Sequence, residues 1–320
     1  MAFCIVLMYN IIIGVCTNDA YKKIHITMGE NKMKFGTLYA YWTRDWDADY
    51  FAIADKCHKA GFDVMEIGGG HLLDMSDAEI ERLRDYCRDL GLTISCNIGP
   101  PKHCDISSSD PVKRQNGVDW VTGILRQMVK IGSKVLIGAF YNCWPNTEVD
   151  GSKEEMWERS VAEMKKIAAV AEELDIILCL EILNRFESPI LNDCDEGIKY
   201  CKEVGSPACK LLLDTFHMNI EEDDMAGAIR KAGSLLGHVH VGEANRKLPG
   251  MGRLPWAEMG EALREIGFDG CVVMEPFMKP GGAVARDIKV YRDLSGGADE
   301  ETMDKYIADS LVFLKANFAG

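Results

Sequence analysis

Four ionisable residues stand where short apolar runs stop. Ile176 to Leu180 ends on Glu181, Leu211 to Leu213 ends on Asp214, Leu236 to Val241 carries His240, and Cys271 to Met274 ends on Glu275. A continuous aliphatic run is what a strand covered on both faces needs, and its C-terminal end is where α/β folds place reacting groups. Taken singly, an Asp in such a position caps a helix or opens a turn more often than it does chemistry. Recurrence changes that balance. The four residues follow one another at intervals of 33, 26 and 35 positions, each close to one βαβ repeat of about 30 residues. That spacing puts them at equivalent ends of consecutive strands, facing a common centre. Bare carboxylates gathered there would repel, so a divalent cation is the natural resident. Oxygen donors with a single imidazole suit Mn²⁺, Mg²⁺ or Co²⁺ better than a thiolate-seeking ion. His238 shares its strand with His240; the site is assigned to His240, and His238 is expected to pack outward.

Eight strands are needed to carry this arrangement, and eight can be read: 34–39, 63–67, 92–98, 134–139, 176–181, 209–214, 236–241 and 271–275. Between them lie stretches of helical period at 48–60, 77–90, 114–131, 153–174, 195–204, 222–233 and 256–266, with a last helix at about 300–317. Gly61, Gly91 and Gly267 fall just after helices, where a left-handed cap favours glycine. Strict alternation over this length predicts an α/β protein, a single (β/α)8 TIM barrel. A doubly wound open sheet is the competing architecture, but no Gly-x-Gly-x-x-Gly opens the first unit. Gly68-Gly69-Gly70 reads as a flexible loop rather than a phosphate cradle. The barrel is expected to span 33–320. Residues 1–32, apolar from Ala2 to Cys16 except at Asn10, read as an N-terminal extension outside the fold.

Composition narrows the partners. A net charge of −14 argues against nucleic acid, which demands clustered Lys and Arg. Ala2 to Cys16 is short for a bilayer span and no other run competes, so no membrane partner is expected. The twelve cysteines form no Cys-x-x-Cys pair, and Cys96, Cys179, Cys209 and Cys271 fall in predicted strands. They read as buried thiols of a reducing cytoplasm rather than disulfides or a zinc-thiolate site.

Longer motifs then carry a resemblance. Glu181-Ile-Leu-Asn-Arg-Phe-Glu187, Leu213-Asp-Thr-Phe-His-Met-Asn-Ile-Glu-Glu222 and Gly237-His-Val-His-Val-Gly-Glu-Ala-Asn-Arg246 are similar to the ketose 3-epimerases. So are Pro249-Gly-Met-Gly-Arg-Leu-Pro-Trp256 and Met274-Glu-Pro-Phe277. That family, of D-tagatose and D-psicose (D-allulose) 3-epimerases, lies among the xylose-isomerase-like barrels, and the likeness runs from about Met33 to the C-terminus. The resemblance implies one Mn²⁺ or Co²⁺ per subunit, with Mg²⁺ a further option, held by Glu181, Asp214, His240 and Glu275. It implies substrate contacts from Glu187, His217 and Arg246, and a homodimer or homotetramer. Leu38, in Leu38-Tyr-Ala-Tyr-Trp42, stands where psicose epimerases usually carry an aromatic residue and tagatose epimerases a bulky apolar one. Trp144 is expected to form another wall of the pocket. The C-terminal half, with Ser206-Pro-Ala-Cys-Lys210, looks closer to the tagatose branch.

The residue types suit that chemistry. Epimerisation at C3 of a ketose removes the proton next to the C2 carbonyl and returns one from the opposite face. This requires two acid/base groups and a positive charge for the enediolate between them. Glu181 and Glu275 are assigned as those two catalytic groups, on D-tagatose/D-sorbose and D-fructose/D-psicose. The alternative is an aldose–ketose isomerase on the same metal barrel. An endonuclease-type relative would want more His than the seven present and a basic face. A non-catalytic sugar-binding module has no need of two opposed bases.

Overall fold

A computed structural model describes residues 33–319; the expectation for residues 1–32 lies outside the described residues. Eight parallel strands close on themselves: β1 (Lys34–Leu38), β2 (Val64–Gly68), β3 (Thr93–Ile98), β4 (Val135–Gly138), β5 (Ile177–Ile182), β6 (Cys209–Asp214), β7 (Leu236–Val241) and β8 (Cys271–Met274). Closure is made by β1 against β8, with Lys34 opposite Cys271 and Thr37 opposite Met274. The chain is a TIM barrel. The helices are α1 (Tyr50–Ala60), α2 (Asp77–Asp89), α3 (Pro111–Ile131), α4 (Lys153–Glu173), α5 (Cys194–Val204), α6 (Thr215–Glu221), α7 (Met225–Ala232), α8 (Trp256–Glu265), α9 (Gly282–Asp287) and α10 (Glu300–Phe318).

Local chemistry explains most boundaries. Ser76 and Ser152 each form a capping box, with Glu79 and Glu155, so α2 and α4 start where two free backbone N–H groups find partners. The glycines expected after helices adopt φ of 86°, 76° and 65° at Gly61, Gly91 and Gly267. The helix expected over 222–233 is α7, which starts three residues later, and α6 just before it was not expected. Asp224 accepts from the Gly227 N–H and opens a new N-terminus, while the Glu222 carboxylate receives the Cys194 N–H and leaves the helical path. Gly68-Gly69-Gly70 is no flexible loop. Gly68 ends β2 and Gly69–Leu73 forms a 3-10 turn, where a Cβ on Gly69 would lie 2.9 Å from Ile98 Cγ2. Close packing, not mobility, is the reason for glycine there.

Two apolar layers hold the barrel. The larger lies between strands and helices and includes Met65, Ile67, Leu178, Leu180, Leu211 and Leu213. A smaller one, Ile137, Cys179 and Leu212, fills the barrel interior. Alternation then fixes what stands above it. Glu181 is two residues beyond Cys179 and Asp214 two beyond Leu212, so both carboxylates share the interior face. Nine of the described cysteines are buried and Cys271 is half-buried; all ten are free thiols. Among the described residues no helix is long and apolar enough to cross a membrane.

Candidate active site and metal centre

The ends of β5 to β8 bring Glu181, Asp214, His240 and Glu275 together. One ligand atom from each lies within 4.8 Å of the others, and all four residues are buried. Glu275 follows β8 directly, and its N–H continues the ladder by donating to Val241 O at 2.9 Å. His240 Nδ1 stands 3.6 Å from Oε1 of Glu181 and 3.6 Å from Oε1 of Glu275. That nitrogen is buried and has no hydrogen-bond partner. An orphaned imidazole nitrogen between two carboxylates is what a bound cation would satisfy.

Charge supports the same fit. Arg246 Nη1 donates to Asp214 Oδ2 and Glu275 Oε2, each at 2.9 Å. Three buried carboxylates against one guanidinium leave a deficit that a divalent ion matches. Burial pushes the Glu275 carboxyl well above the usual range even with His240 and Arg246 beside it, and Glu181 and Asp214 add to the push. Asp214 goes the other way. Burial would raise it, but Arg246, His217 and His240 together hold it below the ordinary value. The donor set, three carboxylates and one imidazole, fits a hard or intermediate divalent cation.

Beside this cluster, Arg246 adopts a left-handed φ of 64°. Its N–H donates to Glu243 O at 2.8 Å and its O accepts from Phe277 N at 2.8 Å, which turns the guanidinium inward. The cation lies 3.8 Å from the Phe216 ring centre. Glu243 is no partner for it: that carboxylate accepts from Gly250, Arg253 and Leu254 N–H groups and from Trp256 Nε1. His217, on α6, places Nε2 3.7 Å from Asp214 Oδ2 and 3.8 Å from Glu181 Oε1. Its Nδ1 accepts from the Asn184 N–H at 3.0 Å and faces Asn184 Nδ2 at 2.7 Å. Nδ1 thus faces two donors, while Nε2 lies on the cavity side, 3.4 Å from Arg246 Nη2. Glu187 accepts from Trp144 Nε1 at 3.0 Å and from Asn184 Nδ2 at 3.2 Å. Burial would raise its carboxyl, but His217 and Arg246 outweigh it and hold it below the ordinary value.

These groups open into a cavity of about 330 Å³. Leu38, Trp144, Glu181, Glu187, His217, Arg246 and Glu275 all line it, whereas Asp214 and His240 lie beneath. Tyr39, from the aromatic segment 38–42, lines it too, and the sequence reading did not assign Trp46, His71, Asn97, Trp120 and Phe277, which also line it. Within the segment 38–42 only Leu38 and Tyr39 reach the cavity. Tyr41 and Trp42 turn away, donating to Met303 O at 2.9 Å and Asp304 Oδ1 at 2.7 Å.

One expectation is overturned. His238 does not pack outward: it is fully buried, its ring lies 5.2 Å from that of His240, and its Nε2 is 3.3 Å from Glu66 Oε2. Residues two apart on a strand share a face, so His238 and His240 necessarily point the same way. Glu66, which meets both, was also missed. It is fully buried in β2, and the one signal for it is a carboxylate interrupting Val64-Met-Glu-Ile67.

Fold and site together define a TIM barrel with a buried carboxylate–imidazole cluster able to hold a divalent cation, and comparison with known proteins narrows the class. A family profile described as xylose isomerase-like TIM barrel matches residues 54–294. The chain is 45% identical over 284 residues to the D-psicose 3-epimerase of Ruminiclostridium cellulolyticum, covering 88% of this chain and 96% of that one. It is 43% identical over 291 residues to the D-psicose 3-epimerase of Agrobacterium fabrum, covering 90% and 100%. Among solved structures, D-psicose 3-epimerase with D-tagatose from Clostridium cellulolyticum H10 superposes with a TM-score of 0.88 at 45% identity, covering 89% and 99%. The chain belongs to the ketose 3-epimerase family of the xylose isomerase-like TIM barrels, and it is a carbohydrate epimerase.

Proposed function

We propose that this protein interconverts free ketohexoses at C3, D-fructose with D-psicose and D-tagatose with D-sorbose, with Glu181 and Glu275 as the two proton-transferring groups. The observation that carries the reading is the placement of these carboxylates. Both line one cavity, and each stands 3.6 Å from the same imidazole nitrogen. A sugar between them offers one face of C3 to each. One carboxylate takes the C3 proton and the other returns a proton from the opposite face, so the configuration inverts.

Glu181, Asp214, His240 and Glu275 would hold the cation, Mn²⁺ or Co²⁺. When bound it would supply positive charge for the C2 oxygen, where negative charge develops as the C3 proton leaves. The protein's own groups do the rest. His217 Nε2–H and the Arg246 guanidinium donate to the oxygens at that end of the sugar, and the Glu187 carboxylate accepts from a hydroxyl near C3. Trp46, Trp144 and Phe277 form an edge-to-face aromatic wall, with ring centres 6.1 and 6.4 Å apart, that excludes water from the reacting carbon.

Free sugars suit the cavity better than phosphorylated ones. Among the described residues its lining offers Arg246 as the one permanent cation and no Lys, and that Arg is already committed to two carboxylates. A phosphate is held best by an Arg or Lys free to pair with it. The proposal includes residues 33–320 as the catalytic barrel, assembled as a cytoplasmic homodimer or homotetramer; family membership supports it, and light scattering reads the mass directly.

The test uses metal-stripped protein in D₂O with D-fructose or D-tagatose, with and without Mn²⁺. Deuterium at C3, with D-psicose or D-sorbose formed only when Mn²⁺ is present, is the expected result. Deuterium at C1 with an aldose product would replace this reading by the isomerase alternative. No exchange with either ketose would remove the substrate assignment.

A further inference from the structure

Beneath the cavity lies a buried carboxylate that the reaction above does not use. Glu66 is fully buried and does not line the cavity, so no substrate atom reaches it. Both of its oxygens are engaged. Oε1 lies 2.9 Å from His240 Nε2 and accepts from Asn97 Nδ2 at 3.2 Å. Oε2 accepts from Ser95 Oγ at 3.0 Å and lies 3.3 Å from His238 Nε2. Ser95 and Asn97 come from β3, on one side of β2, and the two imidazoles from β7 across the interior. The carboxylate is therefore clamped from two directions.

We propose that Glu66 is a positioning residue that presets His240 for the cation; the inference rests on the metal reading of the site. An ionised carboxylate can only accept, so at 2.9 Å the proton between them belongs to His240 Nε2. A neutral imidazole with its proton on Nε2 has its lone pair on Nδ1. That nitrogen is the buried, unpartnered one, 3.6 Å from both Glu181 and Glu275. Glu66 thus fixes the tautomer and the ring plane, and makes Nδ1 a better donor to a cation. Without it the ring could place its proton on Nδ1, which would silence the ligand.

A second role for the same atoms is a separate ion site. Glu66, His238 and His240 also bring one ligand atom each within 4.8 Å of one another. The hydrogen bonds from Ser95 and Asn97 count against it, because they already fill the carboxylate that an ion would need.

The experiment is a Mn²⁺ titration of the metal-stripped full chain, reading free Mn²⁺ by electron paramagnetic resonance. The wild type is expected to bind one ion per chain. Glu66→Leu, close in volume and unable to accept, is expected to weaken binding roughly 10- to 100-fold. Glu66→Gln keeps one acceptor oxygen and should lose about 3- to 10-fold, an intermediate effect on the same scale. Turnover of either variant should recover on raising Mn²⁺, because Glu66 does not touch the sugar. Circular dichroism and melting in chelator establish folding; if the Leu variant does not fold, the Gln variant decides. In Mg²⁺-loaded protein with ¹⁵N-labelled histidine, His240 should carry its proton on Nε2.

Unchanged Mn²⁺ affinity in a folded Glu66 variant, or a proton on His240 Nδ1, overturns the inference while leaving the proposed reaction intact. Two ions per wild-type chain overturns it in favour of the separate site. A wild type that binds no Mn²⁺ overturns both this inference and the metal reading beneath it.

Discussion

The two halves of the barrel end their strands differently. β5 to β8 finish on or beside Glu181, Asp214, His240 and Glu275, whereas β1 to β4 finish on Leu38, Gly68, Ile98 and Gly138. Both halves face the same cavity. One half supplies charge and the other supplies shape, and the physics of the two is opposed. Each buried ion costs several kcal/mol in lost hydration, while each buried aliphatic side chain returns about 1.5–3 kcal/mol. The charged strand ends therefore cost stability, and the uncharged ends of β1 to β4 continue the core, Glu66 within β2 being the buried carboxylate on that side. Substitutions should separate accordingly: activity lost with the fold intact on one side, fold weakened with activity partly kept on the other.

The sharpest way to break this comparison is Glu275→Gln. It removes one of the two proposed proton-transferring groups with almost no change in volume, so turnover should fall by about 10³-fold or more, with the melting temperature of the metal-stripped protein unchanged or higher. Substantial retained epimerisation would end the two-carboxylate assignment. Arg246→Ala comes next. It strips a partner from Asp214 and Glu275 at once, and the Michaelis constant should rise about 10- to 100-fold, the cost of a lost charged hydrogen bond to substrate. An unchanged constant would take Arg246 out of the substrate contacts. Smaller still is Trp144→Phe, which keeps the wall but deletes the Nε1–H donated to Glu187 Oε2. A loss of about 1 kcal/mol, near fivefold in kcat/KM, is expected. A loss above a hundredfold would mean that Trp144 does more than hold Glu187.

The same division explains what could be read before the structure was in hand. The charged half was legible because a carboxylate or imidazole interrupting an apolar run is conspicuous, and repetition at βα spacing makes it improbable by chance. Glu66 interrupts its run in the same way, but no partner stands one repeat away, so the interruption alone did not mark it as part of the site. His238 was misplaced by a reading that set it opposite His240, when the strand period of two puts them side by side. The walls were nearly invisible. Trp46, His71 and Phe277 lie in connections rather than strands, and an apolar or aromatic residue there looks like core. Strands and most helices followed from periodicity and caps. Helix α6 did not, because seven residues directly after β6 are too few to show a helical period.

The smallest expected effect lies on the uncharged side, and it sharpens the comparison most finely. Leu38 is 3% exposed at the end of β1, with one side toward the core and one toward the cavity. Leu38→Ala deletes apolar contacts on both sides. A fully enclosed Leu costs about 2–5 kcal/mol on such truncation, and a site already bordering a cavity should fall at the lower end, visible as a lower melting temperature. Catalysis should respond differently. The carboxylates, the imidazole and Arg246 are untouched, so the enzyme remains active, but the wall against the far end of the sugar recedes. Removing methylenes from an apolar pocket is worth about 1–3 kcal/mol per group where the substrate fills it closely. For a hydroxylated sugar end the lower figure applies, so the ratio of D-fructose to D-tagatose rates should move by up to about tenfold. Comparing kcat/KM for the two ketoses in wild type and variant, with melting curves alongside, gives both answers. A lowered melting temperature with an unchanged ratio would make Leu38 core alone, and would shift the choice of ketose to the aromatic residues around Trp46. A changed ratio with an unchanged melting temperature would dissolve the division itself, since a residue of the shaping half would then contribute to selection and nothing to stability.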